Sequence, residues 1–431
     1  MIKYHLTMVY SFTIKKLSTR SLIVYKVIYD LFRIFWRQWY LVHKDLKMKY
    51  IKCMLIYLLL ACLGCTSVER EKVQNTRVDL NNSLFPADIS VVSEADLFAL
   101  TEQQQQEFLN FYQQRIAKGY LPHEGVQHFL VSHLSNFTYY GKTHTASEAM
   151  TKNSGNCMSL AILTTAFSRL VGVDMDYQKM HSLPIYEKHG NVILSSSHVQ
   201  SLLYDPSFVA EDDYIYLNRP AIVIDYFPQD DNIRSKRVNS NKFLAMYYVN
   251  RAAEFYISKD LESAFAYAKH AYLLDENNVS SINLLALLHK KKGDEESAER
   301  LYVAAMASSD VNISVLDNYV NLLIKQGKLT EAQDIKSRIE NIYDPNPYHW
   351  LEKAQLARYK SEYDDAARFY RKVIKLAPYV KQAYFELHEV YLLQNDKQQA
   401  ISILEKALPW LHEPKQKRQY KKQLYQLSAT S

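Results

Sequence analysis

Five alanines spaced 34 residues apart dominate the second half of this chain, and that period limits its fold more than any other feature. The spacing holds without a slip through Ala264, Ala298, Ala332, Ala366 and Ala400. A polar turn precedes each alanine, at Lys259-Asp260, Gly293-Asp294, Gly327-Lys328, Ser361-Glu362 and Asn395-Asp396. Such a period predicts stacked helical hairpins in which an alanine allows two helices to approach closely.

These units resemble tetratricopeptide repeats, which are pairs of helices that stack into a solenoid. Leu376-Ala377-Pro378 ends the fourth unit, and Ala271, Ala305 and Ala407 add further small contact positions. The resemblance implies an all-α tetratricopeptide-repeat solenoid over residues 241–431, with five repeats and a polar capping helix over Lys415–Leu427. Such a solenoid binds a protein or peptide in its groove; the alternative is a spacer or a brace for the rest of the chain.

Cys157 is the only cysteine in the last 366 residues of the chain. Gly155-Asn156 precedes it, and an apolar helical run that includes Leu160, Leu163 and Phe167 follows it. At the N-terminus of a helix, free N–H groups and the dipole favour the thiolate over the thiol. The position therefore predicts a nucleophile, and the alternative is a small buried apolar residue.

Two apolar stretches typical of strands follow this predicted helix. His198 begins one of them, and Asp225 closes the other, Pro220–Asp225. A carboxylate at the end of an apolar strand costs free energy unless it is paired, so Asp225 predicts a partner. Asp205 is the competing acid, but it stands before Pro206 in a pattern that favours a turn.

The residues Thr145-Ala146-Ser147-Glu148, Gly155-Asn156-Cys157, His198 and Asp225 together resemble the transglutaminase-like cysteine superfamily. The family resemblance implies an α+β domain with a papain-type core over residues 91–240. It implies that Cys157 is the nucleophile, that His198 is its base and that Asp225 orients the histidine.

The resemblance leaves the rest of the site less defined. The backbone N–H of Cys157 is the implied first oxyanion donor, and Tyr139 and Tyr140 are candidates for a second donor or for the core. The chemistry needs no metal and no organic cofactor. His123, His128 and His133 are spaced by five residues, which is not a metal-ligand spacing.

The first 90 residues have the organisation of an envelope leader. Residues 48–65 contain a basic start, a short apolar run and a small residue before Cys65, which resembles a bacterial lipoprotein signal peptide with Cys65 as the lipidated residue. Lipidation at Cys62 and an uncleaved anchor are the alternatives. We interpret residues 1–47 as an extension upstream of a start at Met48, and residues 66–90 as a polar tether.

The net charge of +6 is concentrated in the leader. Residues 1–65 carry eleven Lys/Arg and two Asp/Glu, a charge of +9, so the remainder of the chain carries −3. A slightly acidic body without a long basic run excludes nucleic acid as the expected partner. Three of the four cysteines lie in the leader, so the body has no disulfide framework.

These observations lead to two functional hypotheses. The first is an envelope-anchored, thiol-dependent acyl-transfer enzyme that acts through a Cys157 thioester, either on amide or peptide bonds by hydrolysis or by transfer to an amine. Its repeats bind a protein or peptide, and a lipid at Cys65 holds it to the membrane. The alternative is a non-catalytic scaffold lipoprotein with a degenerate transglutaminase-like domain. Thr66 after Cys65 favours the periplasmic side of the outer membrane over the inner membrane.

Overall fold

The computed structural model describes the body of the chain and two short stretches of the leader. The described residues are 8–9, 13–15, 77–133, 137–138, 142–181, 185–189, 192–196, 199–212, 214–216, 218–226, 233–340, 346–411, 417–418, 420–422 and 424–425. They divide into a main unit, Met1–Val9 with Arg77–Ser207 and Pro220–Ser431, and a smaller unit, Tyr10–Thr76 with Phe208–Arg219.

Four of the first five described α-helices of the main unit begin at a side-chain cap that the sequence supplies. They are α1 (Glu94–Phe98), α2 (Glu102–Ile116), α3 (Pro122–His133), α4 (Ala146–Lys152) and α5 (Cys157–Leu170). Thr101 caps α2 and Thr145 caps α4, each in a reciprocal capping box with the residue three positions later. Ser93 caps α1, because its side chain accepts the Asp96 N–H.

Antiparallel pairing organises the described strands. They are β1 (Met8–Val9), β2 (Thr13–Lys15), β3 (Met175–His181), β4 (Ile185–His189), β5 (Val192–Ser196), β6 (Val199–Tyr204), β7 (Tyr214–Tyr216), β8 (Ala221–Asp225) and β9 (Ile233–Val238). The main sheet has the order β1-β8-β6-β3-β9, and β4 pairs with β5 as a separate hairpin. In the smaller unit β2 pairs with β7, and Phe208 packs edge-on against Tyr216.

The two faces of the main sheet bury different side chains because residues alternate along a strand. Val199 and Leu203 of β6 and Ile222 and Ile224 of β8 belong to the large core that also contains α5. The opposite face forms a small separate cluster of Leu202, Tyr204, Ala221 and Val223. The helix that begins with Cys157 therefore packs on one face only.

Ten described helices after the sheet form five consecutive hairpins. They are α6 (Ser240–Ile257), α7 (Leu261–Leu274), α8 (Val279–Lys291), α9 (Glu295–Met306), α10 (Ile313–Lys325), α11 (Leu329–Glu340), α12 (Pro347–Tyr359), α13 (Tyr363–Leu376), α14 (Lys381–Leu393) and α15 (Lys397–Ala407). Each even-numbered helix packs against the helix that follows it. The described residues between 417 and 425 are also helical, and Tyr420 packs edge-on against Phe385.

The five periodic alanines explain the spacing of these hairpins. Each lies in the second helix of its pair and is at most 2% exposed. A larger side chain there would push the paired helices apart, so the period reflects packing. The predicted tetratricopeptide repeats are confirmed.

The turns inside the hairpins also repeat every 34 residues, in the left-handed backbone region. The residues with positive φ are Lys259, Gly293, Gly327, Ser361 and Asn395. Each stands between the two helices of one hairpin, where a left-handed residue reverses the chain. Only two of the five are glycine, the residue that adopts this conformation without strain.

Residues 77–90 differ from the predicted tether, of which residues 66–76 lie outside the described part. The Val78 N–H donates to the Tyr272 hydroxyl at 3.0 Å, and Phe85 is buried against Phe265. One core cluster extends from Phe85 to Ile335 and joins this segment, the domain that contains Cys157 and the first three repeats. Within the described residues, no helix has both the length and the hydropathy of a membrane span.

Candidate functional site

Cys157 is the first residue of α5, and its side chain is 4% exposed. Asn156 caps the helix, because its Oδ1 accepts the Ser159 N–H at 3.0 Å. Cys157 therefore lies at a helix N-terminus, as the sequence predicts. The thiol is covered rather than open to solvent.

Gly155 permits the tight turn before the cysteine. Its φ is +153°, and a Cβ at this position would lie 2.6 Å from Ser159 Cβ. A side chain here would have to displace the first turn of α5, because real Cβ atoms do not approach so closely. The Gly-Asn pair is thus a structural requirement for the position of Cys157.

Hydrogen bonds connect this turn to the preceding loop and to the first repeat. Asn156 Nδ2 donates to Thr143 Oγ1 at 2.8 Å, and the His144 N–H donates to Ser159 Oγ at 2.8 Å. The Thr143 N–H donates in turn to a carboxylate oxygen of Glu254, on α6, at 2.6 Å. Burial raises the pKa of Glu254, while the Thr143 bond and the charge of Arg251 act in the opposite direction.

The chain direction places three parts of the predicted site at one end of the sheet. The turn after α5 leads directly into β3, which runs back toward the N-terminus of the helix. Partway along β3, the Tyr177 hydroxyl lies 2.8 Å from Thr165 Oγ1 on α5. Further along β3, Lys179 pairs with Val199, the first residue of β6. The start of β6 therefore lies toward the Cys157 end of the layer.

Asp225 reaches the same end from the neighbouring strand. As the last residue of β8 it pairs with Gln200, the second residue of β6, and its carboxylate accepts a hydrogen bond from Gln200 Nε2 at 2.5 Å. Asp225 is 8% exposed, so the acid expected to need a partner has one. By strand alternation, Asp225 and Gln200 share the face of Leu202 and Val223, opposite the face on which α5 packs.

Several predicted residues lie outside the described part of the chain. They are His198, the oxyanion candidates Tyr139 and Tyr140, and the lipidation candidates Cys62 and Cys65. The two predicted catalytic residues that the structure describes, Cys157 and Asp225, are not hydrogen-bonded to each other. The competing acid Asp205 forms the expected turn, because its Oδ1 accepts the Ser207 N–H at 2.8 Å.

Tyr226 is a residue of this region that the sequence did not single out. Its hydroxyl lies 2.7 Å from Thr164 Oγ1 on α5 and 2.8 Å from Ser201 Oγ on β6. Burial raises the pKa of Tyr226, the two hydroxyl contacts lower it, and the charge of a Cys157 thiolate would raise it further. A tyrosine directly after the acid of an apolar strand was the available signal.

The described residues contain no group of three or more His, Cys, Asp or Glu side chains placed to hold a metal ion. His133 is instead paired with Glu107, with 2.6 Å between Nε2 and Oε1. His123 is buried, and this burial lowers its pKa.

Comparison with known proteins identifies the repeats. Residues 383–419, which include all of α15 and all but the first two residues of α14, match the tetratricopeptide repeat family. Together with the five hairpins, this match makes the C-terminal part a tetratricopeptide-repeat module, a class that binds protein or peptide segments. No curated protein matches the chain.

Several solved structures are similar to part of the chain. YrrB, a TPR protein with an unusual peptide-binding site, is 17% identical over 41% of this chain and 92% of its own, with a TM-score of 0.22. Yeast Tom70 is 21% identical over 44% of this chain and 41% of its own, with a TM-score of 0.32. PilF of Pseudomonas aeruginosa is 14% identical over 44% of this chain and 87% of its own, with a TM-score of 0.29.

Proposed function

We propose that this protein is a thiol-dependent acyl-transfer enzyme of the bacterial envelope, with Cys157 as nucleophile, His198 as base and Asp225 as the orienting acid. The repeats recruit a protein or peptide partner, and a lipid on Cys65 holds the protein at the membrane. One observation carries the proposal: the N-terminus of α5, the first residues of β6 and the last residue of β8 lie at one end of the sheet.

The chemistry follows from these three side chains. The Cys157 thiol gives its proton to the His198 imidazole, and the sulfur bonds to the carbonyl carbon of an amide or peptide. The carbon–nitrogen bond breaks, and the amine leaves with the proton from the imidazolium. Water or a second amine then attacks the thioester, which regenerates the thiol and releases an acid or a new amide. The backbone N–H of Cys157 is the first donor to the oxyanion.

Two observations favour a second candidate, a non-catalytic scaffold. Cys157 is 4% exposed, so an acyl substrate reaches it only if neighbouring residues move. The Asp225 carboxylate accepts a bond from Gln200 on the face of the sheet away from α5. In the scaffold both domains serve protein binding, and the thiol is a buried apolar group.

The reactivity of Cys157 distinguishes the two candidates. Iodoacetamide labelling of the full chain at neutral pH, followed by peptide mass analysis, gives the alkylation rate of this one thiol. We expect a rate above that of free cysteine, because a thiolate reacts and a thiol does not. The rate should fall in His198→Ala and Asp225→Ala, while Asp205→Ala serves as the matched acid control.

The opposite results favour the scaffold. Cys157 would then stay unlabelled in the folded protein and react only after addition of urea, or it would react at the same rate in all four proteins. Cys157→Ser gives the background from the three leader cysteines. A loss of partner binding on substitution of repeat residues, with none in Cys157→Ser, would point the same way.

The lipid anchor has a separate test. Labelled palmitate, fed to a bacterial host that makes the full chain, should enter the wild-type protein and Cys62→Ser but not Cys65→Ser. Sedimentation of the protein with outer-membrane vesicles should follow the label. Loss of label only in Cys62→Ser would move the site to that residue, and label in neither wild type nor variant would favour an uncleaved anchor.

A further inference from the structure

Residues 77–92, called the docked segment below, lie along the first two repeats. Near the start of the segment, the Val78 N–H donates to the Tyr272 hydroxyl of α7 at 3.0 Å. At its end, the Tyr248 hydroxyl of α6 donates to the Val92 carbonyl oxygen at 2.7 Å. The repeats therefore hold both ends of the segment through tyrosine hydroxyls.

Phe85 is the apolar anchor of the docked segment. Its ring stacks on Phe265 of α7, with 3.9 Å between centroids and an interplanar angle of 4°. His289 of α8 meets it edge-on at 5.6 Å, and the Lys292 ammonium lies 5.1 Å from its centroid. Phe85 is the one fully buried side chain of the segment, and the half-buried side chains of Val78, Leu80, Leu84, Val91 and Val92 pack against the same core.

Asn81 is the polar anchor, four residues before Phe85. Its backbone N–H donates to His289 Nε2 at 3.2 Å, and its side-chain Nδ2 donates to Asp294 Oδ2 at 2.9 Å. His289 is fully buried, and Asp294 caps the next helix, α9. Both acceptors belong to the second repeat, which thus recognises the backbone and the amide of one residue.

The contacts of His289 require one tautomer of the neutral ring. Nδ1 lies 2.8 Å from the Leu285 carbonyl oxygen, which only accepts, so Nδ1 carries a hydrogen. Nε2 faces the Asn81 N–H, which only donates, so Nε2 carries none. A proton added to His289 can go only to Nε2, where it would face the Asn81 donor. Protonation and the Asn81 hydrogen bond are therefore mutually exclusive.

Of the two groups that accept hydrogen bonds from Asn81, His289 is the one that changes its protonation state, because Asp294 is held in its ionised form. Burial lowers the pKa of His289, while the Leu285 bond and the Asp294 charge oppose this effect and Arg300 on α9 adds to it. Burial opposes ionisation of Asp294, but bonds from the Ser297 N–H and the Asn81 amide hold the pKa of Asp294 below its ordinary value. From α7, Glu262 pairs with Lys292 at 2.7 Å.

We propose that the docked segment is a reversible cis ligand of the first two repeats, bound while His289 is neutral and released when His289 takes up a proton. Release frees the surface of Phe265, Tyr272 and Asp294 for an extended peptide with an amide side chain four residues before an aromatic one. The inference is independent of any reactivity at Cys157.

Hydrogen exchange of the full chain at about pH 8 and about pH 5, corrected for intrinsic exchange, tests the proposal. Protection of residues 77–92 should fall by up to about tenfold for each pH unit below the pKa that His289 has once the segment is released, since release is linked to the uptake of one proton. Protection of α13 should not change in parallel. In His289→Gln, which cannot take up a proton, the pH response should disappear.

Other variants separate this mechanism from general acid destabilisation. His388→Gln is the matched control, because this buried histidine also contacts a backbone carbonyl, that of Ala400 at 3.0 Å, far from the segment. It should keep the wild-type pH response. Asn81→Pro removes both the N–H that bonds His289 and the amide that bonds Asp294, and it leaves every repeat residue unchanged. The φ of −77° suits proline, so this variant should abolish the response even if His289→Gln fails to fold.

Three results would overturn the proposal. One is equal protection of residues 77–92 at both pH values in the wild-type protein. Another is a pH response that survives in Asn81→Pro. The third is loss of the response in His388→Gln, because the titration would then act on the whole repeat module rather than on the Asn81 contact.

Discussion

The Glu254 carboxylate, on the first helix of the repeats, accepts the backbone N–H of Thr143 in the loop before the cysteine helix, with 2.6 Å between the atoms. Thr143 also accepts a bond from Asn156, the residue that caps the Cys157 helix. Two hydrogen bonds thus connect the first repeat to the turn that holds the thiol. The cysteine domain and the repeats are joined by polar contacts as well as by their shared core.

Removing this carboxylate should destabilise the protein. In Glu254→Ala the Thr143 N–H loses its acceptor and Arg251 loses its partner, which we expect to cost about 1–3 kcal/mol of unfolding free energy. Urea denaturation measures this loss. Glu296→Ala is the matched control, because its ion pair with Arg300 is exposed and should contribute less than about 1 kcal/mol. Equal effects of the two substitutions would contradict the structural role of Glu254.

In the left-handed turns, a substitution to glycine and a substitution from glycine should change the stability of the protein in opposite directions. Lys259→Gly and Ser361→Gly relieve a strained conformation, so each should be neutral to stabilising by up to about 1 kcal/mol, with Asn395→Gly gaining least. Gly293→Ala should destabilise by about 1 kcal/mol. A Cβ at Gly293 meets open space, so only backbone conformation is tested. Thermal unfolding gives the order, and a stabilising Gly293→Ala would contradict it.

The repeats could be predicted because their signals are local and periodic. The buried alanines report helix packing at a fixed spacing, and the polar pairs between helices coincide with left-handed residues such as Lys259 and Ser361. The start of α5 was predictable for a similar reason. Gly155 allows the turn and Asn156 caps the helix, and both residues directly precede Cys157.

Long-range contacts between ordinary residues could not be predicted. Asn81 and Phe85 stand in a polar stretch typical of a linker, and their partners lie about 200 residues further along the chain. The need of Asp225 for a partner was predictable from the apolar strand. The identity of Gln200 depends on strand register, which no local pattern in the sequence specifies.

Gly155→Ala should be the most damaging single methyl addition near Cys157. The φ of +153° and the 2.6 Å approach to Ser159 combine backbone strain with a steric clash, for which we expect a loss of about 2–3 kcal/mol. Gly172→Ala is the matched control at the other end of α5, where φ is +69° and a Cβ meets open space. It should lose less. Urea denaturation compares the two, and an equal or smaller loss in Gly155→Ala would mean that the turn relaxes freely.

Acidification should lower the stability of the protein below the ordinary histidine pKa of 6.5. Burial, together with the nearby Lys152 charge, lowers the pKa of His144 against the opposing effect of Glu148, and burial also lowers those of His270 and His289. Between the folded and unfolded pKa values the unfolded chain binds more protons, so the unfolding free energy rises with pH. The contribution of these histidines to the unfolding free energy is fully present above pH 6.5 and is lost as the pH falls through their pKa values in the folded protein.

Urea denaturation at a series of pH values between about 5 and 8 measures this dependence. Each such histidine contributes a slope of at most about 1.4 kcal/mol per pH unit. His144→Gln should remove its share of the slope, because glutamine does not titrate, and should leave the stability above pH 6.5 changed only by packing. A protein that gains stability on acidification, or a His144→Gln variant with an unchanged slope, would contradict the burial of a neutral imidazole at this position.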